Sequence, residues 1–282
     1  MDLDIDTVRT ARTRADCVLR PGEAFLGGGT YLYSEPVPAG VTGLVDLTGM
    51  GWEPWSVDGA GLRVAGTCTL AEFVSGPGAL GADAGGPYRA LALVAPCVSA
   101  LTLSSKVART ATVGGNLALG LPAGSMVGLF AALDAVAVIW TSGVSTGSTS
   151  GVGSREVAVA DLVTGAGVVD LAPGEVLREV RVPSAVLARR TVFRRASLTS
   201  TGRTAAMVTG RAGDQGPTLT VTASVAAPLS LHARDHAAVD RWIDRLDSTG
   251  AWFEDVHGSR GWRAAMTRRL AHEAFDELVG AS

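Results

Sequence analysis

The sequence predicts an α+β fold with a strand-rich N-terminal part and two helices at the end. Short apolar runs stop on glycine or proline, a glycine triplet and a glycine pair follow such segments, and two amphipathic helical patterns close the chain. With 282 residues, 47% hydrophobic and 18% charged, the chain can bury a sizeable core as one large domain or two smaller ones. Its 36 glycines imply many tight turns or close backbone approaches.

Along the chain, Thr7 to Arg14 reads as a short helix. After the Pro21-Gly22 turn, Ala24 to Leu26 reads as a strand that ends on Gly27-Gly28-Gly29. Val41 to Leu47 and Leu62 to Gly66 predict further strands, and Thr69 caps a helix opening Leu70-Ala71-Glu72-Phe73. Tyr88 to Ala100 is small and apolar, as a buried helix is. Lys106 to Val113 runs into Gly114-Gly115, and Val127 to Leu133 predicts an apolar helix. Val136 to Trp140 and Arg155 to Val159 predict paired strands around a flexible hairpin tip, the Gly/Ser/Thr-rich stretch Ser142 to Ser154.

Val176 to Val182 alternates apolar and charged residues, predicting an edge or half-buried strand that Pro183 stops. That proline divides the chain into residues 1–182, with subdivisions of roughly 1–60 and 61–182, and residues 183–282. In the second part, strands are expected near Thr191 to Arg194 and over Leu219 to Ser224, with an apolar segment, Ala205 to Thr209, between them. Helices are expected over His236 to Leu246 and Gly261 to Val279.

Composition narrows the function. A net charge of -3 without any Lys/Arg-rich run disfavours nucleic acid. The N-terminus begins acidic and does not read as a secretory signal, and Gly, Pro or charge interrupts every apolar run before it reaches membrane-spanning length, so a cytoplasmic protein is expected. Cys17, Cys68 and Cys97 are too far apart for a Cys-x-x-Cys metal or iron-sulfur motif. His232 and His236 have a spacing that suits a metal, although Arg234 and Asp235 between them read as a solvated helix start.

The candidate site lies at the glycines. Leu26-Gly27-Gly28-Gly29-Thr30 puts bare backbone directly after a strand, where several N–H groups can meet an anion with no Cβ in the way. Thr112-Val113-Gly114-Gly115-Asn116 repeats the arrangement, so two such turns could grip one pyrophosphate from both sides. A tight turn or bulge is the structural alternative for each. Neither matches Gly-x-Gly-x-x-Gly, and no Walker lysine follows.

Together and in this order, Gly27-Gly28-Gly29-Thr30-Tyr31-Leu32 and Ala111-Thr112-Val113-Gly114-Gly115-Asn116-Leu117 resemble the flavin domain of molybdenum hydroxylases, the xanthine dehydrogenase and carbon monoxide dehydrogenase medium-subunit type. The likeness continues through Leu129 to Ala135, Val157 to Thr164 and Ala172 to Pro183, and less sharply through Phe193-Arg194-Arg195 and Asp255 to Ser259. It implies a two-subdomain FAD-binding domain of the PCMH type, followed by a small α+β domain with an antiparallel sheet.

The resemblance also implies the site. Leu26, Gly27, Gly28, Gly29, Thr30, Tyr31 and Leu32 would line the pyrophosphate and ribityl region, facing Thr112, Gly114, Gly115 and Asn116. Leu119, Gly124 and Ser125 fall toward the flavin, Leu177 toward the adenine, and Phe193 near the isoalloxazine ring. The chain departs from the family at Tyr31 and Ser125, where relatives carry acids, at Arg109, and at Met207, where xanthine-oxidising relatives have lysine. The implied role is electron transfer through FAD to NAD, oxygen or a carrier protein. A molybdopterin-binding large subunit and a small subunit with 2Fe-2S clusters would be the partners. A free-standing flavin oxidase and a non-catalytic scaffold are the alternatives.

Overall fold

The computed structural model describes residues 5–141 and 153–280, so the expected hairpin tip lies almost wholly outside the described residues. The first sheet is parallel, with order β1-β3-β2, from β1 (Thr7–Thr10), β2 (Glu23–Leu26) and β3 (Gly43–Asp46). The helix expected over Thr7 to Arg14 is therefore a strand followed by a 3-10 turn at Arg14–Cys17. Pairing of β1 with β3 overrides local propensity, and Val8 is 60% exposed, so no apolar helical stripe exists to bury. Arg9 on β1 reaches past β3 to form a two-pronged ion pair with Glu23 on β2, at 2.8 and 2.7 Å.

The second sheet contains β4 (Trp55–Asp58), β5 (Gly61–Ala65), β6 (Val136–Trp140) and β7 (Ser154–Ala158). A small ladder of β8 (Val163–Gly165) and β9 (Val168–Val169) leads to β10 (Val176–Pro183), which completes it. Its order is β4-β5-β10-β6-β7, antiparallel throughout. Of the two readings of its alternating pattern, β10 is the half-buried strand and not the edge, since it lies at the centre of the sheet. Its charges are accommodated on the sheet surface: Arg181 pairs with Glu156 at 2.8 Å and Glu179 at 2.7 Å, and Arg178 lies over the Trp52 ring. The third sheet is an antiparallel meander of β11 (Thr191–Ala196), β12 (Ala206–Arg211), β13 (Thr218–Thr222) and β14 (Leu229–His232).

The helices are α1 (Leu70–Phe73), α2 (Val94–Ala100), α3 (Ser105–Ala108), α4 (Val113–Leu119), α5 (Ser125–Ala132), α6 (Val159–Leu162), α7 (Ser184–Leu187), α8 (His236–Thr249) and α9 (Arg260–Gly280). Thr69 caps α1 as expected: its hydroxyl accepts from the Glu72 N–H, and the Glu72 carboxylate accepts from the Thr69 N–H. The single helix expected over Tyr88 to Ala100 is a 3-10 turn, Arg89–Leu93, followed by α2. Pro96, with no N–H to return to the Ala92 carbonyl, belongs in the first turn of the α-helical part.

Every residue of α5 is buried, because this helix is shared by the core over the five-stranded sheet and by one face of the third sheet. A Cβ on Gly128 would lie 2.5 Å from Met207 Cε, so glycine sets how closely α5 rests on β12. The opposite face of that sheet, including Val208 and Val221, packs under α8 and α9. In α8 the buried residues Val239, Trp242, Ile243 and Leu246 follow helical spacing. Arg263 of α9 is buried and fully used: it donates to the carbonyls of Gly258, Ala205 and Ala223 and pairs with Asp255, which fixes the turn before the helix.

The Arg9–Glu23 pair makes a pH prediction. The guanidinium holds the Glu23 carboxyl at about 2, down from 4.5. A depressed carboxylate contributes stability that is fully present above its unfolded pKa and is lost as pH falls through the folded value. Chemical unfolding at pH 7 and pH 3 should therefore show lower stability for Arg9→Gln than for wild type at pH 7, with a smaller further loss on acidification through this window. An unchanged acid profile in the variant would show that the pair does not couple to folding.

Candidate functional site

A cavity of about 700 Å³ opens where the end of β2 meets the start of α4 and the start of β10. Its walls include Leu26, Gly27, Gly28, Gly29, Thr30, Tyr31 and Leu32 from the turn after β2. Thr112, Gly114, Gly115, Asn116 and Leu119 come from α4 and its cap, Gly124 from the loop after it, and Leu177 from β10. All the residues nominated from sequence thus meet around one space, except Ser125 and Phe193.

Glycine is needed here for contact between backbones. A Cβ on Gly28 would fall 1.6 Å from the Thr110 carbonyl oxygen, one on Gly114 would fall 2.6 Å from the Gly66 oxygen, and one on Gly66 would fall 2.2 Å from the Leu177 oxygen. Gly29 has φ +71, and a side chain there would meet the Tyr33 ring at 2.4 Å. Gly115 differs. Its Cβ would meet only the Thr112 hydroxyl, at 3.0 Å, and would otherwise occupy cavity space.

The two turns are not equivalent in what they offer. The second is the first turn of α4, and its donors are already engaged. Val113 N–H donates to the Cys68 carbonyl at 2.9 Å, Gly114 to Gly66 at 2.9 Å, Gly115 to the Thr112 hydroxyl at 3.0 Å and Asn116 to the Thr112 carbonyl at 3.1 Å. The turn after β2 is the opposite case: among the described residues, the N–H groups of Gly28, Gly29, Thr30, Tyr31 and Leu32 have no protein acceptor. Asn116 adds a donor, because its Oδ1 accepts from the Met126 N–H at 3.3 Å and its amide NH₂ is left over. A run of consecutive unpaired N–H groups, the first two on glycines, is the kind of surface to which an anion can bind.

Charge at the walls is arranged to suit one. Glu175 lines the cavity, but Arg155 binds both its oxygens, at 2.9 and 2.7 Å, and holds its carboxyl below the usual range. Among the described residues, Arg203 is the one cationic side chain at the wall. No histidine lines the space. Cys68 lies behind the Val113 N–H, where burial pushes its thiol up to about 12, so it is not a nucleophile.

Two nominated residues lie elsewhere. The Ser125 hydroxyl is buried and donates to the Cys97 carbonyl, tying α5 to α2, so it is not at the wall. Phe193 on β11 is half-buried against the core over the five-stranded sheet. Met207 also faces inward, against Gly128. His232 and His236 do not converge: His232 Nε2 sits 2.9 Å from the Gln215 carbonyl, while His236 turns to His272 and Asp276. Sequence reading missed Gly66 and Thr67, although a glycine directly after an apolar strand is the signal that exposed the first turn. It also missed Trp52, Leu103 and Arg203, for which no local signal exists.

The family model described as "FAD binding domain in molybdopterin dehydrogenase" matches residues 21–185, more than half of the chain. The chain belongs to this family. The matched span of the molybdopterin dehydrogenase FAD-binding domain runs from the turn before β2 to α7, and so contains nearly the whole cavity wall. No match was found among curated proteins.

Solved structures share the fold at low identity. Quinoline 2-oxidoreductase from Pseudomonas putida 86 is 20% identical, with a TM-score of 0.76 over 99% of both chains. Reconstituted CO dehydrogenase from Oligotropha carboxidovorans is 20% identical, with a TM-score of 0.78 over 99% of this chain and 98% of that one. CO dehydrogenase from Hydrogenophaga pseudoflava lacking the Mo-pyranopterin moiety is 18% identical, with a TM-score of 0.80 over 98% of each. FAD, the family's cofactor, fits what the site offers: unpaired donors for a pyrophosphate and an apolar cavity within the usual size range of ligand sites.

The glycines separate fold from ligand. Gly115→Ala should leave thermal stability close to wild type and weaken flavin binding, because its methyl enters free cavity. Gly28→Ala should cost roughly 1–3 kcal/mol of stability as well, because its methyl meets main chain. Thermal melts alongside flavin titration distinguish them. Equal flavin affinity for Gly115→Ala and wild type would mean that no ligand approaches that backbone.

Proposed function

We propose that this chain is the FAD-binding, electron-transferring subunit of a molybdenum hydroxylase complex. In this reading residues 1–182 hold the cofactor and residues 183–282 support it. The observation that carries the reading is the row of unpaired N–H groups from Gly28 to Leu32 at the wall of an apolar cavity.

Bound FAD would supply the redox chemistry. The residues of this chain bind and orient it. Backbone N–H groups of the turn after β2 and the Asn116 amide would donate hydrogen bonds to the pyrophosphate, and Thr30 would add a hydroxyl. Leu26, Leu119 and Leu177 exclude water from the walls. Arg155 keeps Glu175 paired, so its negative charge does not oppose an anionic ligand. Among the described residues, no cavity-lining nucleophile with an adjacent base stands ready for group transfer, which suits a chain that handles electrons only.

Substrate chemistry then falls to partners. One CO dehydrogenase similar in fold is described as a Cu,Mo enzyme and another as lacking the Mo-pyranopterin moiety of its molybdenum cofactor, and this chain shows no group of three or more metal-ligating side chains among the described residues. A molybdopterin-binding large subunit and an iron-sulfur small subunit would supply electrons, and an external acceptor would remove them.

The purified chain should release FAD on acid denaturation, without a covalent remnant. Co-expressed with the neighbouring coding regions, it should form a complex containing molybdenum and iron whose flavin absorbance bleaches with substrate, while the isolated chain stays oxidised. Failure to take up any flavin would leave a non-catalytic scaffold. Turnover of an organic substrate by the isolated chain would make it a free-standing oxidase.

A further inference from the structure

Away from the cavity, four titratable side chains line up across the two C-terminal helices in the order Asp276, His236, His272, Asp240. His236 opens α8 and His272 lies in α9, and their Nδ1 atoms are 2.7 Å apart. The ring planes differ by 22° and the centroids are 5.0 Å apart, so both nitrogens lie close to the line joining the rings, which meet edge to edge. On the far sides, His236 Nε2 is 2.9 Å from Asp276 Oδ1 and His272 Nε2 is 3.0 Å from Asp240 Oδ1.

These contacts fix the proton count. An ionised carboxylate only accepts, so each Nε2 that bonds one carries a hydrogen. The His272 hydrogen bond, and Arg268 after it, hold the Asp240 carboxyl below the usual range. Between the two Nδ1 atoms, two lone pairs repel and two N–H groups collide, whereas one N–H can donate to one lone pair. The rings therefore carry three protons and one positive charge between two carboxylates.

The other charges nearby are already engaged. On α9, Arg268 donates to Asp240 at 2.7 Å and to Asp244 at 2.5 Å, and Arg269 pairs with Glu273 at 2.7 Å. On α8, Asp235 accepts from the Ala238 N–H at 2.6 Å and lies 3.8 Å from Arg241. Arg194 of β11 takes Glu273 and Glu277, and the Phe275 ring meets His236 at 4.9 Å. Among the described residues, His236 is the partner of Asp276.

We infer that His236 and His272 hold one shared proton and form a pH-sensitive clasp between the first turn of α8 and α9. The clasp fails on both sides of its range. As pH rises and the proton leaves, either two lone pairs face each other or one ring changes tautomer and loses its carboxylate. As pH falls and a further proton arrives, two N–H groups and two positive charges face each other. Histidine exchanges protons between about pH 5 and 8, and two coupled rings do so as a pair. The packing of Val239, Trp242, Ile243 and Leu246 is apolar, so the start of α8 loosens while the C-terminal core stays intact.

The test uses the full chain, with nitrogen NMR of its histidines and a double-mutant cycle. At about pH 6.5, the middle of the histidine range, both Nε2 atoms should be protonated and the two Nδ1 atoms should share one hydrogen. Denaturant unfolding of wild type, His236→Gln, His272→Gln and the double variant should give a coupling of about ten-fold in the unfolding equilibrium constant, the low end for a hydrogen bond to a charged group. That coupling should vanish at about pH 4.5 and at about pH 9, outside the histidine range.

A coupling equal at all three pH values, or an unprotonated Nε2 on either ring at the middle one, overturns the inference. So does a coupling that a chelator abolishes, since a metal ion and not a proton would then join the rings. Should a variant not fold, the wild-type spectra decide: Nδ1 signals of the two rings that titrate together support the shared proton, and rings that titrate independently overturn it.

Discussion

Contact between bare backbones organises this molecule. Gly28 rests on the Thr110 carbonyl, Gly114 on Gly66, and Gly66 on the Leu177 carbonyl, each so closely that a methyl group would collide with main chain. These contacts run from the end of the first sheet, through the cap of α4, to the central strand of the second sheet. They set the separation of the cavity walls. Side chains can adjust to small errors, whereas main chain against main chain has no rotamer to yield. The cavity's shape is therefore fixed by composition at a few positions and not by the bulk of its lining.

The same contacts explain an asymmetry that residue types alone conceal. Both glycine motifs have the make-up of an anion cradle, yet only the turn after β2 keeps its donors free. At α4, the price of bringing Gly114 against Gly66 is that its N–H is consumed by the Gly66 carbonyl, and the neighbouring N–H groups find Cys68 and the Thr112 cap. A buried helix start must satisfy its donors. The turn after β2 faces a cavity and is spared that requirement. The free main-chain donors thus lie on the turn after β2, whereas the first turn of α4 supplies wall with its donors already paired.

Much of the site was legible because a glycine required by a contact is visible in sequence even when its partner lies far along the chain. Leu26 to Leu32 and Thr112 to Asn116 stood out as glycine runs suited to an anion, and the structure brings both to one cavity while using several of the glycines for main-chain contact. Side-chain direction was not legible. Ser125 follows Gly124 at the wall, but α5 is buried all round, so the next residue already points to Cys97. Phe193 sits on a strand whose register with β12 turns it into the core. The alternating charges of β10 left an edge and a half-buried strand open, and its central place was not legible because its ion-pair partner Glu156 and its ring partner Trp52 come from another strand and a loop. For β1, the parallel pairing partner is more than thirty residues away, and no local pattern encodes it.

The third sheet enters the cavity only through the loop between β11 and β12. Thr204 and Arg195 both donate to the Ala100 carbonyl, which fastens that loop to the segment carrying Thr102 and Leu103 and sets Arg203 at the rim. Thr102 itself has φ +54, a conformation that a β-branched residue keeps only when its surroundings impose it. The helix before it, α2, packs on α5 and is tied to it by the Ser125 hydroxyl, and Gly128 sets the distance of α5 from β12. The C-terminal part therefore acts on the site through placement of the rim. Its helices, its buried Arg263 and its own core hold a sheet from which one loop reaches the rim of the cavity.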